Sequence, residues 1–82
     1  MTDLDEQRIQ KTINALYELT PREQEVLELV IRGMDNKMIA EQMFISVNTS
    51  KRHVKHILHK FDSRKRCELL CRLLELGEYN VP

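Results

Sequence analysis

Residues Asp35 to Phe61 read DNKMIAEQMFISVNTSKRHVKHILHKF. Two helical patterns meet here across a three-residue break, Phe44-Ile45-Ser46. Before the break, Asp35 offers an N-cap oxygen, and Met38, Ile39 and Met43 point inward. Ala40 is small and lets the next helix approach closely. Phe44 and Ile45 fill the corner. Ser46 then caps a longer helix running from Val47 to about Phe61. With successive residues turning by about 100°, Val47, Val54, Ile57, Leu58 and Phe61 form one apolar side, with Ser50 among them. Asn48, Arg52, Lys55, His56 and His59 fall opposite, and Thr49 and Lys51 lie on the flanks. A short helix, a tight turn and a longer basic helix form the plan of a DNA-reading helix-turn-helix, whose second helix enters the major groove.

The overall charge conceals this. The chain holds 13 Lys+Arg and 13 Asp+Glu, but they are segregated. Met1 to Asp35 carries four basic and eight acidic residues. Asn36 to Arg66 carries eight basic and two acidic ones, a local excess of six positive charges. Cys67 to Pro82 has one basic and three acidic residues. Phosphate contacts act within a Debye length, ~8 to 10 Å, so the local excess matters more than the neutral total.

Length restricts the function classes. Eighty-two residues make one small domain, which buries only roughly 60% of its unfolded surface and leaves little room for an enclosed active site. No apolar run approaches the ~20 residues of a membrane span, and no signal peptide is apparent. Two Gly and two Pro give strands and hairpins little support, and the abundance of Leu, Glu, Lys, Arg, Gln and Met favours helix throughout. Cys67 and Cys71 lie one helical turn apart and project in parallel, a poor geometry for a disulfide. They read as reduced thiols and the protein as cytoplasmic.

Around the central stretch, the chain divides as follows. Residues 1–18 are acidic, with Ile9, Ile13 and Leu16 at helical spacing; they read either as a short amphipathic helix or as a linker. The domain proper spans 19–77. Its first helix opens at Thr20-Pro21-Arg22-Glu23, where Thr20 caps, Pro21 suits the first position and Glu23 completes a capping box. Val26, Leu27, Val30 and Ile31 form its stripe, and Gly33 supplies a left-handed stop. The last helix runs from about Arg64 to Leu76, with Gly77 as its stop and 78–82 as a tail. Leu69, Leu70, Leu73, Leu74 and Leu76 cover more than one of its faces, and such a surplus suggests a dimer contact.

These residues resemble the LuxR-type helix-turn-helix domain. The resemblance rests on Leu19-Thr20-Pro21-Arg22-Glu23-Gln24-Glu25-Val26-Leu27, Asn36-Lys37-Met38-Ile39-Ala40, Phe44-Ile45-Ser46, Thr49-Ser50-Lys51-Arg52-His53, then Ile57, Lys60 and Phe61, and Arg64-Lys65-Arg66-Cys67-Glu68-Leu69. The region after the turn is similar to response regulators of the nitrate/nitrite type. The resemblance implies an all-α, four-helix domain, with the N-terminal segment as an additional helix if it folds. It also implies sequence-specific binding to promoter DNA by a transcriptional regulator, either stand-alone or behind a receiver or ligand-binding domain, with RNA polymerase as a further partner. By position, Lys51, Arg52 and Lys55 would read bases. Lys37, Asn48, Thr49, His56 and Arg64 would lie near phosphates. Dimers would form through the last helix, with Leu73 and Leu76 as contacts.

Three positions depart from the family pattern. Ser50 replaces an inward Val, so its hydroxyl must bond back or go unsatisfied. Asp62 stands where Gly or Asn is usual. Lys65 stands where a small polar cap is usual, so Arg64, Lys65 and Arg66 crowd a helix N-terminus against its dipole; a DNA phosphate among them would resolve this.

Other readings compete. A sigma-factor-like promoter domain shares the plan but works bound to polymerase. A protein-interaction module can use the same fold, against which stands the local positive charge. His53, His56 and His59, with Cys67 and Cys71 nearby in sequence, raise a metal site, but the histidines drift around the helix among cations and no CxxC or HExxH pattern is present. No metal or cofactor is expected. No nucleophile-base-orienter set can be assembled, so the chain is not read as an enzyme.

Overall fold

A computed structural model describes the backbone of residues 3–80 and the side chains of Gln7 and of residues 9–76. Among the described residues there are five helices and no strand: α1 (Asp3–Glu18), α2 (Pro21–Ile31), α3 (Asn36–Met43), α4 (Val47–Lys60) and α5 (Arg66–Asn80). The N-terminal segment is thus helix rather than linker. The helix-turn-helix pair α3 and α4 packs on α2, while α1 packs on α5.

The starts of α2, α3 and α4 are capped by the residues that the sequence offers. Glu23 N–H donates to Thr20 Oγ1 at 3.2 Å, and Thr20 N–H donates to Glu23 Oε1 at 3.0 Å, which closes the capping box of α2. Met38 N–H donates to Asp35 Oδ1 at 2.8 Å at the start of α3. Thr49 N–H donates to Ser46 Oγ at 3.1 Å at the start of α4.

The ends of α2, α3 and α4 share one device. Met34 N–H reaches the Leu29 carbonyl, Ile45 N–H the Ala40 carbonyl and Ser63 N–H the Leu58 carbonyl, at 3.1, 3.0 and 2.9 Å. Each is the long closing bond of a Schellman turn, which needs a residue with positive φ just before the donor. Gly33 (φ 86), Phe44 (φ 57) and Asp62 (φ 52) fill those places. The Asp62 departure is therefore tolerated because a short polar side chain accepts the left-handed region. Phe44 is the costly member. It does not fill the corner: it is 94% exposed, and Ile45 alone packs against the core.

The core joins Val26, Leu27, Leu29 and Val30 of α2 to Ile39 and Met43 of α3, Val54, Ile57 and Phe61 from α4 and its cap, and Leu69 of α5. Ile31, Met38 and Val47, expected on inward faces, are exposed instead. Ile31 and Val47 are the terminal residues of α2 and α4, Met38 lies in the first turn of α3, and Leu29 is buried in place of Ile31. On α1 the buried side is Ile9, Thr12 and Ala15, continued by Leu19 just after the helix and rotated from the expected Ile9-Ile13-Leu16 line. The small Thr12 and Ala15 suit a close approach, and Ile13 and Leu16 lie half-buried beside them.

The last helix begins at Arg66 and continues through Gly77 to Asn80, so Gly77 is no stop and 78–80 are not a tail. Residues 81–82 lie outside the described residues, as do the side chains of 77–80. Leu76 is buried, and Leu73 packs against the core. Within the single chain Leu76 is covered and Leu73 half-covered, so little of these two side chains is open to solvent. Among the described residues of α5, the leucine left in solvent is Leu74, at 68% exposed.

Candidate nucleic-acid interface

The candidate surface is one side of α4. Ser50, Val54 and Ile57 are buried and fix the helix's rotation. Opposite them, Asn48, Lys51, Arg52, Lys55, His56 and His59 are all exposed, and Thr49 is half-buried. No acidic residue occurs anywhere in α4. Thr49 shares a 2.8 Å hydrogen bond between its hydroxyl and that of Ser46, so its side chain serves the cap first. Lys37 is exposed in the first turn of α3, and Arg64 is exposed in the loop after α4. Lys51, Arg52 and Lys55, expected to read bases, thus occupy the middle of the exposed side, with cations at both ends.

One contact holds α4 from behind, and a second ties α5 to the α2–α3 connection. At its C-terminal end, Lys60 Nζ donates to Glu23 Oε1 at 2.6 Å and to the Glu18 carbonyl oxygen at 3.1 Å. Glu23 is only 5% exposed. Burial pushes its carboxyl up, but hydrogen bonds from Lys60 and Thr20 outweigh that and hold it below its ordinary value. At the start of α5, Arg66 Nη1 donates to the Met34 carbonyl at 2.7 Å and Nη2 to Asn36 Oδ1 at 2.6 Å. Arg66 is therefore turned into the α2–α3 loop. Of the three clustered cations, only Arg64 and Lys65 face solvent, and the backbone N–H of Arg64 is met by Glu68 Oε2 at 3.1 Å. Part of the crowding is thus relieved within the chain, by the turn of Arg66 and by Glu68.

Ser50 Oγ is fully buried with no hydrogen-bond partner, so the bond back to the preceding turn is not made. Such an orphaned hydroxyl costs about 1 to 3 kcal/mol. His59 received no role from the sequence, although its place opposite the apolar stripe was readable. It stands one turn beyond Lys55 and shares a cavity wall with Lys55, His56 and Arg64. Cys67 and Cys71 are free and exposed. Among the described residues, no three His, Cys, Asp or Glu side chains gather as metal ligands, and no helix is long and apolar enough to cross a membrane.

Residues 17–73 match the family described as bacterial regulatory proteins, luxR family. The chain is 47% identical over 51 residues to the nitrate/nitrite response regulator protein NarL of Escherichia coli, covering 62% of this chain and 24% of that protein. It is 37% identical over 63 residues to the spore germination protein GerE of Bacillus subtilis, covering 77% and 85%. It is 40% identical over 66 residues to the transcriptional regulatory protein DegU of Brevibacillus brevis, covering 80% and 28%. It thus spans about a quarter of the two longer regulators and most of GerE. No solved structure matches the chain closely.

Proposed function

Because this chain belongs to the luxR family of bacterial regulatory proteins, we propose that it regulates transcription by reading promoter DNA with α4 in the major groove. The observation that carries this reading is the exposed side of α4, where Lys51, Arg52 and Lys55 stand without an acidic neighbour on the helix and the buried stripe fixes their direction. A major groove about 12 Å wide admits one helix, and its guanine edge offers two acceptors that Arg pairs bidentately and Lys can also reach. Lys51, Arg52 and Lys55 read bases. Lys37, Asn48, Thr49, His56 and Arg64 border them and meet phosphates, which set register and affinity without sequence information.

Two copies bind together, each reading a half-site, with half-sites about one helical turn apart, ~10 base pairs. The exposed Leu74 on α5 supports this part of the reading, in place of the buried Leu76 and the core-packed Leu73. Selection of bound sequences from random duplex DNA by the purified chain tests the whole proposal. A recovered motif with two spaced half-sites supports it, and recovery of random sequence contradicts it.

A further inference from the structure

The surface between the second half of α4 and the start of α5 holds more positive charge than the base-reading trio uses. Two cavities adjoin there. One, of about 450 Å³, has Lys55, His56, His59, Lys60 and Arg64 in its wall and no acidic residue. The other, of about 560 Å³, shares His59, Ser63 and Arg64 with it and is completed by Asp62, Glu68 and Arg72. Two of these cations are already engaged. Lys60 serves Glu23 and the Glu18 carbonyl. Arg72 donates to Ser63 Oγ at 3.1 Å and to the Asp62 carbonyl at 3.2 Å, and stands 3.6 Å from Glu68. Among the described residues, the side chains of Lys55, His56, His59 and Arg64 have no carboxylate partner. With Lys55 turned to the bases, the Arg64 guanidinium and the two imidazoles beside it offer hydrogen-bond donors to an anion.

We propose that this groove seats a phosphodiester of the DNA backbone and that His59 grips it in its protonated form, so that DNA affinity rises as pH falls. The proposal rests on the reading of α4 as the DNA-binding helix. Its geometry follows from length. The 14 residues of α4 span about 21 Å at 1.5 Å each, while the major groove is only about 12 Å wide. A recognition helix meets base edges with its N-terminal half, so docking through Lys51, Arg52 and Lys55 carries the C-terminal half of α4 toward the edge of the groove. His59, one turn on and on the same exposed side, then lies against the sugar-phosphate wall.

Histidine is the residue type whose charge changes between about pH 5 and 8, and a phosphate beside it favours the charged form. Lys55, His56 and Lys60 face His59 from α4 itself, Asp62 and Arg64 from the following loop, and Glu68 and Arg72 from α5. α1 lines neither cavity; its Lys11 and Glu18 border a separate hollow around Lys60. Glu68 is occupied by the Arg64 amide and Arg72, which leaves Asp62 as the acid on the far wall.

Affinity for a selected duplex, measured near pH 6 and pH 8 at two salt concentrations, tests this. The wild-type chain should bind about 3- to 10-fold more tightly at the lower pH. His59→Gln should lose most of that gain, and its slope of log K against log salt should fall by about one unit at pH 6 but not at pH 8. His59→Lys should bring the low-pH affinity to both conditions. His56→Gln reports that neighbour's separate share. If His59→Gln keeps the full pH response and slope, the seat is refuted while the reading of α4 stands. If the wild-type chain binds no duplex, both fail together. Inorganic phosphate, titrated while the His59 ring is followed by NMR, separates the sources. A response there, with duplex affinity indifferent to His59, would identify a seat for free phosphate and overturn the DNA assignment.

Discussion

The Lys60 ammonium and the Glu23 carboxylate meet at 2.6 Å, and the same ammonium reaches the last turn of α1 through the Glu18 carbonyl. One side chain thus ties the end of α4 to the capping box of α2 and to α1. Charge-assisted hydrogen bonds of this kind contribute about 1.5 to 3 kcal/mol. Lys60→Met should lower unfolding free energy by about 1 to 3 kcal/mol, because Glu23 keeps its negative charge and loses its chief partner. Glu23→Gln should cost less, about 1 kcal/mol, since an amide oxygen still accepts from Thr20 N–H.

The same pair sets a pH dependence. The folded Glu23 carboxyl lies below its ordinary value, so its contribution is fully present above that ordinary value and is lost as pH falls through the lower, folded one. Urea midpoints followed from neutral pH into the acid range should fall more steeply for the wild-type chain than for Glu23→Gln. Parallel curves would show that the pair contributes nothing to acid unfolding.

Ser50 sits at 0% exposure with an unsatisfied hydroxyl. Ser50→Val should raise stability by about 0.5 to 1.5 kcal/mol, because apolar bulk replaces an inward hydroxyl. The denaturant midpoint should rise with an unchanged slope. A clear loss of stability would mean that the pocket around Ser50 is too tight for two methyl groups.

Phe44 combines a left-handed backbone with almost complete exposure. A left-handed L-residue costs roughly 1 to 2 kcal/mol, and glycine gives back part of that through its freer unfolded chain. Phe44→Gly should therefore stabilise the fold by about 0.5 to 1 kcal/mol, read as a higher thermal midpoint. A lower midpoint would show that the aromatic ring contributes packing after all.

Helix starts were legible in the sequence because capping is local chemistry. Thr20, Asp35 and Ser46 carry the needed oxygen within three residues of the amide they satisfy. The exposed side of α4 was legible for the same reason: spacing alone places Arg52 and Lys55 opposite Val54 and Ile57. What spacing cannot give is the partner of a long side chain. Lys60 and Arg66 counted toward the positive segment, yet both turn inward to groups 30 or more residues away. Leu73 and Leu76 looked surplus because nothing in the sequence of α5 says that α1 packs on it. Phe44 was misplaced because hydrophobicity suggested burial while the Schellman turn required a positive φ there.

The proposed pairing of two copies uses the outer side of α5. Leu74→Glu leaves the core untouched, so its thermal midpoint should stay within about 0.5 kcal/mol of the wild type in stability. Binding to a duplex with two half-sites should lose its cooperativity, while affinity for a single half-site is retained. Undiminished cooperativity would place the contact elsewhere.

The central claim is that α4 reads bases through Arg52 and Lys55. The direct measurement is the affinity of the wild-type chain, Arg52→Ala and Lys55→Ala for the preferred duplex and for duplexes altered one base pair at a time. Each substitution should cost about 1 to 3 kcal/mol at the preferred site and flatten the preference at particular base pairs. Lys37→Ala and Arg64→Ala serve as controls; they should weaken all duplexes about equally and lower the salt slope by about one unit. If Arg52→Ala and Lys55→Ala bind more weakly but keep the wild-type order of preference at every base pair, α4 is not the reader and the account is wrong.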